Sequence, residues 1–262
     1  MNVGIILKLR STDVAVIGVC AALYAVVGRL TDFGVTFIGV AFWPAAVIPA
    51  IFAVLYGPWV GGIGAAIGIF ARDMLFHGDP LLSLLAGVTS NFVMFFIIGY
   101  FSRKSLDWRE LLASAALAGV VVVAGLLLPT LVLPAEFAAF TGLSTGWIIV
   151  VSVLAFVVSL GVVVGISKRW SEWRSYSVGS VIGQGIGAVI VAVGVWAYSQ
   201  LFFSATGYIK EPISASFIPI IFVWTFATEI PFVLLVGPPV IKVCYKAFPF
   251  LRTQKIEKRR SG

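Results

Sequence analysis

The sequence predicts an all-α protein, a polytopic membrane helix bundle of about eight transmembrane helices with cytoplasmic N- and C-termini. Three observations predict it. Charged residues make up 11% of the chain and hydrophobic ones 60%, whereas a soluble domain is about 25% charged. Apolar runs of roughly 20 residues, the length of a helical span, recur along nearly the whole chain. Basic residues gather in alternate connections, as they do on the cytoplasmic side of membrane proteins. A single integral membrane domain is expected over residues 1–262, with a basic cytoplasmic tail at 247–262.

The expected spans are 12–30, 37–56, 58–76, 81–101, 111–133, 145–166, 178–203 and 214–241. Lys8 and Arg10 before an apolar run have the outline of a signal peptide, but so many later spans favour a retained first helix. In that helix Gly18 and Ala22, and also Ala21 and Ala25, are small-xxx-small pairs. Such a face serves internal packing or docks another membrane protein. The second span contains Trp43-Pro44 and Pro49; proline frees a carbonyl, either beside a cavity or at a plain bend.

In the third span Gly57, Gly61, Gly64, Gly68 and Arg72 share one helical face, which lets a neighbouring backbone approach closely. No Gly-Lys-Ser/Thr follows, so the run is not a phosphate-binding loop. The fourth span carries Asn91, and the fifth and sixth are nearly featureless Val/Ala/Leu/Gly helices. The seventh holds Gln184, Trp196, Tyr198 and Gln200, and the eighth Trp224, Thr225, Thr228, Glu229 and Pro231.

With the N-terminus inside, Lys8, Arg10, Arg103, Lys104, Arg109, Lys168, Arg169, Arg174 and seven residues from Lys242 onward face the cytoplasm, 15 of the 18 basic residues. This orientation puts Asp32, Asp79, Glu136 and Glu211 outside and Asp73 at the outer mouth. The net charge of +7 then belongs to loops beside the lipid bilayer and not to a nucleic-acid surface.

Ionisable groups at membrane depth are costly and default to functional roles. Arg72, Asp73, His77 and Asp79, with Arg29 and Asp32, are expected to cluster at the outer ends of spans one, three and four. Sequence neighbours point apart on a helix, so Arg72 and Asp73 are not expected to pair, while Asp73 with His77 and Arg29 with Asp32 are. The bland reading of each is a rim ion pair or headgroup contact. Glu229, about 15 residues into its span, is expected roughly 22 Å deep, where a carboxylate must be paired, hydrogen-bonded or protonated. Trp43, Asn91, Trp196, Gln200 and Trp224 are candidates for the walls of a small-molecule site; interfacial aromatic belts are the other reading of the tryptophans.

Enzyme chemistry finds no footing. HExxH is absent, and His77 is the sole histidine. The aspartates lie at the rim, where they do not suit an intramembrane aspartyl protease. No catalytic residue, metal site or cofactor is expected, and Cys20 and Cys244 are placed too far apart for a disulfide.

The succession of a small-residue first helix, LYGPWVGGIGAAIG, the loop HGDP and LLAGVTSNFVMFFIIGYF resembles the substrate-binding S components of energy-coupling factor (ECF) transporters. The ending TEIPFVLLVGPPVIKVCYK is similar to their last helix. The resemblance covers residues 12–104 and, more loosely, 178–246. It implies a non-enzymatic subunit of an ABC importer in the cell membrane, capturing a vitamin or related micronutrient from outside. It also implies docking on a transmembrane coupling protein driven by a cytoplasmic ATPase pair, through Ala21 and Ala25 or through Gly18 and Ala22.

The family's pocket lies in the outer half of a six-helix fold, so eight spans imply a six-helix S-component-like core plus one extra hairpin. If spans five and six are the insertion, Trp196, Gln200, Trp224 and Thr225 come near the pocket; if the last two are the addition, they do not. The alternative is a self-sufficient secondary transporter of a small molecule with Glu229 as coupling carboxylate, although no repeat relates the two halves of the chain. A third reading, a membrane scaffold, leaves the outer charges unexplained.

Overall fold

The computed structural model describes residues 9–33, 36–37, 40–113, 171–204 and 207–251, with a few isolated positions between 116 and 169. Among the described residues, five helices are long and apolar enough to cross a membrane, and a sixth apolar helix is shorter. The protein is an all-α membrane helix bundle. Most of spans 111–133 and 145–166, Glu136 and the tail beyond Leu251 lie outside the described residues.

Helix α1 (Ser11–Thr31) opens where the Asp13 carboxylate accepts the Arg10 backbone N–H at 2.9 Å. Residues 37–56 do not form the continuous span expected. Strands β1 (Thr36–Phe37) and β2 (Val40–Ala41) pair antiparallel, a 3-10 turn covers Pro44–Ala46, and α2 (Val47–Tyr56) has 10 residues. At about 15 Å, α2 is half the thickness of a bilayer core. Pro44 is the physical reason. It has no N–H to give and holds Trp43 out of helical geometry (φ −134°, ψ 64°), so the helix begins only beyond it.

A tight turn at Gly57, with φ +123°, reverses the chain into α3 (Pro58–Phe76). The glycine stripe of α3 is packing. A Cβ on Gly68 would lie 2.8 Å from the Ala21 carbonyl oxygen, so the backbones of α1 and α3 touch there. This contact also separates the two small-residue pairs of α1. Ala21 and Ala25 are buried, whereas Gly18 and Ala22 are exposed and the space around Gly18 is open.

The fourth span is interrupted: α4 (Pro80–Leu82), a π-helical turn (Ser83–Val88), then α5 (Thr89–Phe101). Two long helices follow, α6 (Arg174–Leu201) of 28 residues and α7 (Ile218–Ala247) of 30. Helices α2, α3, α5, α6 and α7 pack as a ring, each against the next, with α1 laid on α3. One apolar cluster, with Tyr24, Trp43, Phe95 and Ile98, fills the space between α1, α2, α3 and α5. A second, with Leu82, Val191, Val195 and Phe222, joins α4, α6 and α7. The cavity described next lies where the two clusters meet.

Candidate functional site

The cavity sits at the end of the bundle where α1 and α3 finish and α4 and α7 begin. Ile69, Arg72, Asp73 and His77 of α3 form one wall, facing Val191 and Val195 of α6. Thr225 and Glu229 of α7, Asn91 of α5, and Leu82, Ala86 and Gly87 complete it, with Val40, Ala41, Trp43 and Ile209 at its border. The space between these walls, counted out to the open mouth, is about 610 Å³.

Arg72 is the hub of the charged wall. Its Nη2 lies 3.0 Å from Asp32 Oδ2 and its Nη1 3.2 Å from Asp73 Oδ1. The expectation that Arg72 and Asp73 stay apart is therefore corrected. That rule describes solvated helix surfaces, but this arginine is buried and its side chain is long enough to fold back. With water excluded, the adjacent carboxylate is the partner within reach. The guanidinium also lies over the rings of Phe76 (4.2 Å) and Trp43 (4.7 Å), adding a cation–π attraction. The two expected pairs are present. Arg29 reaches Asp32 at 3.3 Å from an exposed position, and His77 Nε2 stands 3.8 Å from Asp73 Oδ1.

The π-helical turn shapes the opposite side. Ser83 donates from its hydroxyl to Asp73 Oδ2 at 2.7 Å. A Cβ on Gly87 would stand 2.8 Å from the same Asp73 oxygen, so the carboxylate occupies the space of the missing side chain. Wide turns of this kind are frequent at functional sites because they re-aim the groups around them.

A chain of hydrogen bonds supports the cavity from behind. Trp43 Nε1 donates to the Tyr24 hydroxyl at 2.6 Å, Tyr24 donates to Asn91 Oδ1 at 2.5 Å, and Asn91 Nδ2 donates to the Gly87 carbonyl at 2.9 Å. Both ends of the Asn91 amide are thus engaged within the protein. Thr225 likewise gives its proton to the Ile221 carbonyl at 2.8 Å.

Glu229 is different. It is 6% exposed, and its Oε2 is buried without a hydrogen-bond partner. Gln184 of α6 stands beside it, yet both atoms of its amide also lack a partner at hydrogen-bonding geometry. Glu229 is 11 residues beyond Ile218, the first residue of α7, or roughly 16 Å along the helix. That is shallower than expected, because α7 starts later than the span drawn from hydropathy.

Of the ten side chains expected at the site, the structure brings Trp43, Arg72, Asp73, His77, Asn91 and Glu229 to the cavity. Asp79, Trp196, Gln200 and Trp224 do not line it. Three of these instead hold the segments that do. Asp79 caps α4 through the Leu81 and Leu82 N–H groups, accepts the Tyr198 hydroxyl, and gives its own N–H to His77 Nδ1. Gln200 donates to the Ile213 carbonyl at 2.9 Å, tying down the loop that carries Ile209. Trp224 donates to the Val40 carbonyl at 3.0 Å, pinning the β1–β2 hairpin to α7. Trp196 is partly exposed on α6.

Tyr208, in the loop after α6, stacks on His77 with ring centroids 5.0 Å apart. Burial raises its hydroxyl above the ordinary value of 10.0; nearby Arg72 pulls the other way and Asp73 adds to the rise.

Sequence reasoning missed Tyr24, Ser83 and Gly87. A usable signal existed for Tyr24, since a hydroxyl in an apolar span needs a partner. Gly87 read as one more small residue in a helix.

Fold and site together define an α-helical membrane protein with a buried polar cavity at one end of its bundle. In comparisons with known proteins, no family model, no curated protein and no solved structure matches the chain.

Proposed function

We propose that this protein is the substrate-capturing subunit of an ECF-type importer, taking a vitamin or related micronutrient from the outer face of the cell membrane. The observation that carries the reading is the cavity itself, walled by Arg72, Asp73, Thr225 and Glu229 among apolar side chains. Such a composition, apolar walls with a few convergent polar groups, is that of a binding site. The packing of α6 and α7 directly on α5 and α2 supports the version in which 111–133 and 145–166 are an added hairpin. The positive-inside distribution supports a cavity that opens outward.

In this reading Gly18 and Ala22 are the contact for the coupling protein, because Ala21 and Ala25 are already buried, Ala21 against Gly68 of α3. The test is purification in a mild detergent, alone and with a coupling protein and ATPase pair. A bound small molecule should be released on denaturation. Gly18→Leu should weaken capture of the ATPase module without lowering the thermal midpoint. If no micronutrient stabilises the protein and no ATPase module is captured, the reading fails.

A second reading rests on the unpartnered Glu229 carboxyl: a secondary transporter in which that group carries the coupling ion or proton. Uptake into proteoliposomes under an ion gradient, with no ATPase present, would favour it. Glu229→Gln should then abolish accumulation.

A further inference from the structure

We propose that the cavity takes a small organic cation bearing N–H donors, with Glu229 as its counter-ion; the inference rests on the cavity being a ligand site, as in the reading above. It comes from asking which polar groups at the cavity are already committed. The guanidinium of Arg72 has two carboxylates, Asp32 at 3.0 Å and Asp73 at 3.2 Å. Asn91 is engaged at both ends of its amide. His77 accepts the Asp79 N–H at Nδ1 and directs Nε2 toward Asp73.

Two groups remain: the Arg72 Nε–H, whose guanidinium charge is already matched by its two carboxylates, and the Glu229 carboxyl, nine-tenths buried, lining the cavity, with Oε2 unpartnered. The two groups beside it cannot balance a charge, since Gln184 and Thr225 are neutral. A buried carboxylate needs a counter-charge, and among the described residues no cation pairs with it.

The charge balance of the whole cluster points the same way. One buried cation, Arg72, faces two carboxylates, Asp32 and Asp73, and the Glu229 carboxyl lines the same cavity. Arg29 is an exposed partner of Asp32, and exposed charge is screened by solvent. Lys210 and Glu211, exposed on the loop above, cancel each other. Entry of an anion would add to an existing excess of negative charge. Entry of an ammonium relieves it and supplies the missing donor to Oε2. The apolar walls, Ile69, Val191, Val195 and Ile209, fit a carbon skeleton that carries the charge at one end.

The test uses three probes of one shape: benzylammonium, benzyl alcohol and benzoate, titrated at constant ionic strength into the full chain in detergent at pH 7, with tryptophan fluorescence as readout. The expected result is that benzylammonium binds at least tenfold more tightly than benzyl alcohol, a difference of 1.4 kcal/mol, and that benzoate does not bind. Glu229→Gln should remove the preference, and Glu229→Asp, which keeps the charge, should retain part of it. If Glu229→Gln fails to fold, the aspartate variant and the parent carry the comparison.

Equal binding of alcohol and ammonium, or tighter binding of benzoate, overturns the cation assignment. If Val191→Trp blocks that binding, the cavity still stands as a ligand site. Binding of no probe overturns the assignment as well, and the ligand-site reading falls with it only if micronutrients also leave the thermal midpoint unmoved.

Discussion

Replacing Arg72 by methionine isolates the energetics of the charged wall. The side chain keeps much of its length and apolar contact with Trp43 and Phe76 but loses the charge that faces Asp32 and Asp73. At an effective dielectric of about 20, each pair of unit charges near 3.0 Å is worth about 5.5 kcal/mol before desolvation. Desolvation offsets much of that, and removing one partner from a buried pair costs about 3–5 kcal/mol net, because the surviving charge stays buried.

Here two carboxylates lose their buried partner: Asp32 keeps the exposed Arg29 at 3.3 Å, and Asp73 retains the Ser83 hydroxyl at 2.7 Å and the longer approach of His77. At about 2–4 °C per kcal/mol, the thermal midpoint in detergent should fall by about 6–20 °C. Adding Asp73→Asn to Arg72→Met should recover part of the loss, since the amide can still accept from Ser83 while the unpaired charge is gone. A drop of less than about 2 °C for Arg72→Met, with no recovery in the double variant, would refute the argument and mark the network as effectively solvated.

Tyr24→Phe removes the hydroxyl joining Trp43 to Asn91 and leaves a donor and an acceptor buried; each costs about 1–3 kcal/mol, and the Trp43 emission should shift as its indole N–H loses its partner. Gly87→Ala places a methyl on the Asp73 carboxylate, so stability should fall by about 1–3 kcal/mol as for other overpacked sites, and benzylammonium affinity should change with it. Tyr208 predicts an alkaline limit. A tyrosine raised above 10.0 in the folded protein ionises first in the unfolded chain, so stability present below pH 10 is lost as pH rises through the folded value. Tyr208→Phe should flatten the decline of the thermal midpoint above pH 10.

Hydropathy located the long helices because burial in lipid demands apolar side chains on every face, and that demand leaves its mark on composition. It misjudged residues 37–56 for the same reason: composition there is as apolar as elsewhere, and the break comes from one missing N–H at Pro44. The π-helical turn at Ser83–Val88 left no mark at all. Its residues are ordinary helix formers, and the turn exists because Ser83, Gly87 and Asp73 meet across two helices, which is a tertiary fact. Val191 and Val195, which close the cavity, carry the same hydrophobicity as valines that face outward, such as Val193.

The charged residues of the site were legible because an ion in a membrane helix must be compensated, so its presence alone implies a structure around it. That criterion finds polar groups with partners; it does not say who the partner is. Asn91 and Glu229 passed it equally in the sequence, and the structure divides them. The Asn91 amide is closed by Tyr24 and Gly87, Trp224 by the Val40 carbonyl, and Gln200 by that of Ile213, so these three side chains build and fasten the site. Glu229 keeps a buried oxygen that nothing meets. With Asn91, Trp224 and Gln200 closed within the protein, the carboxyl that stays open on the cavity is where a ligand is most in demand.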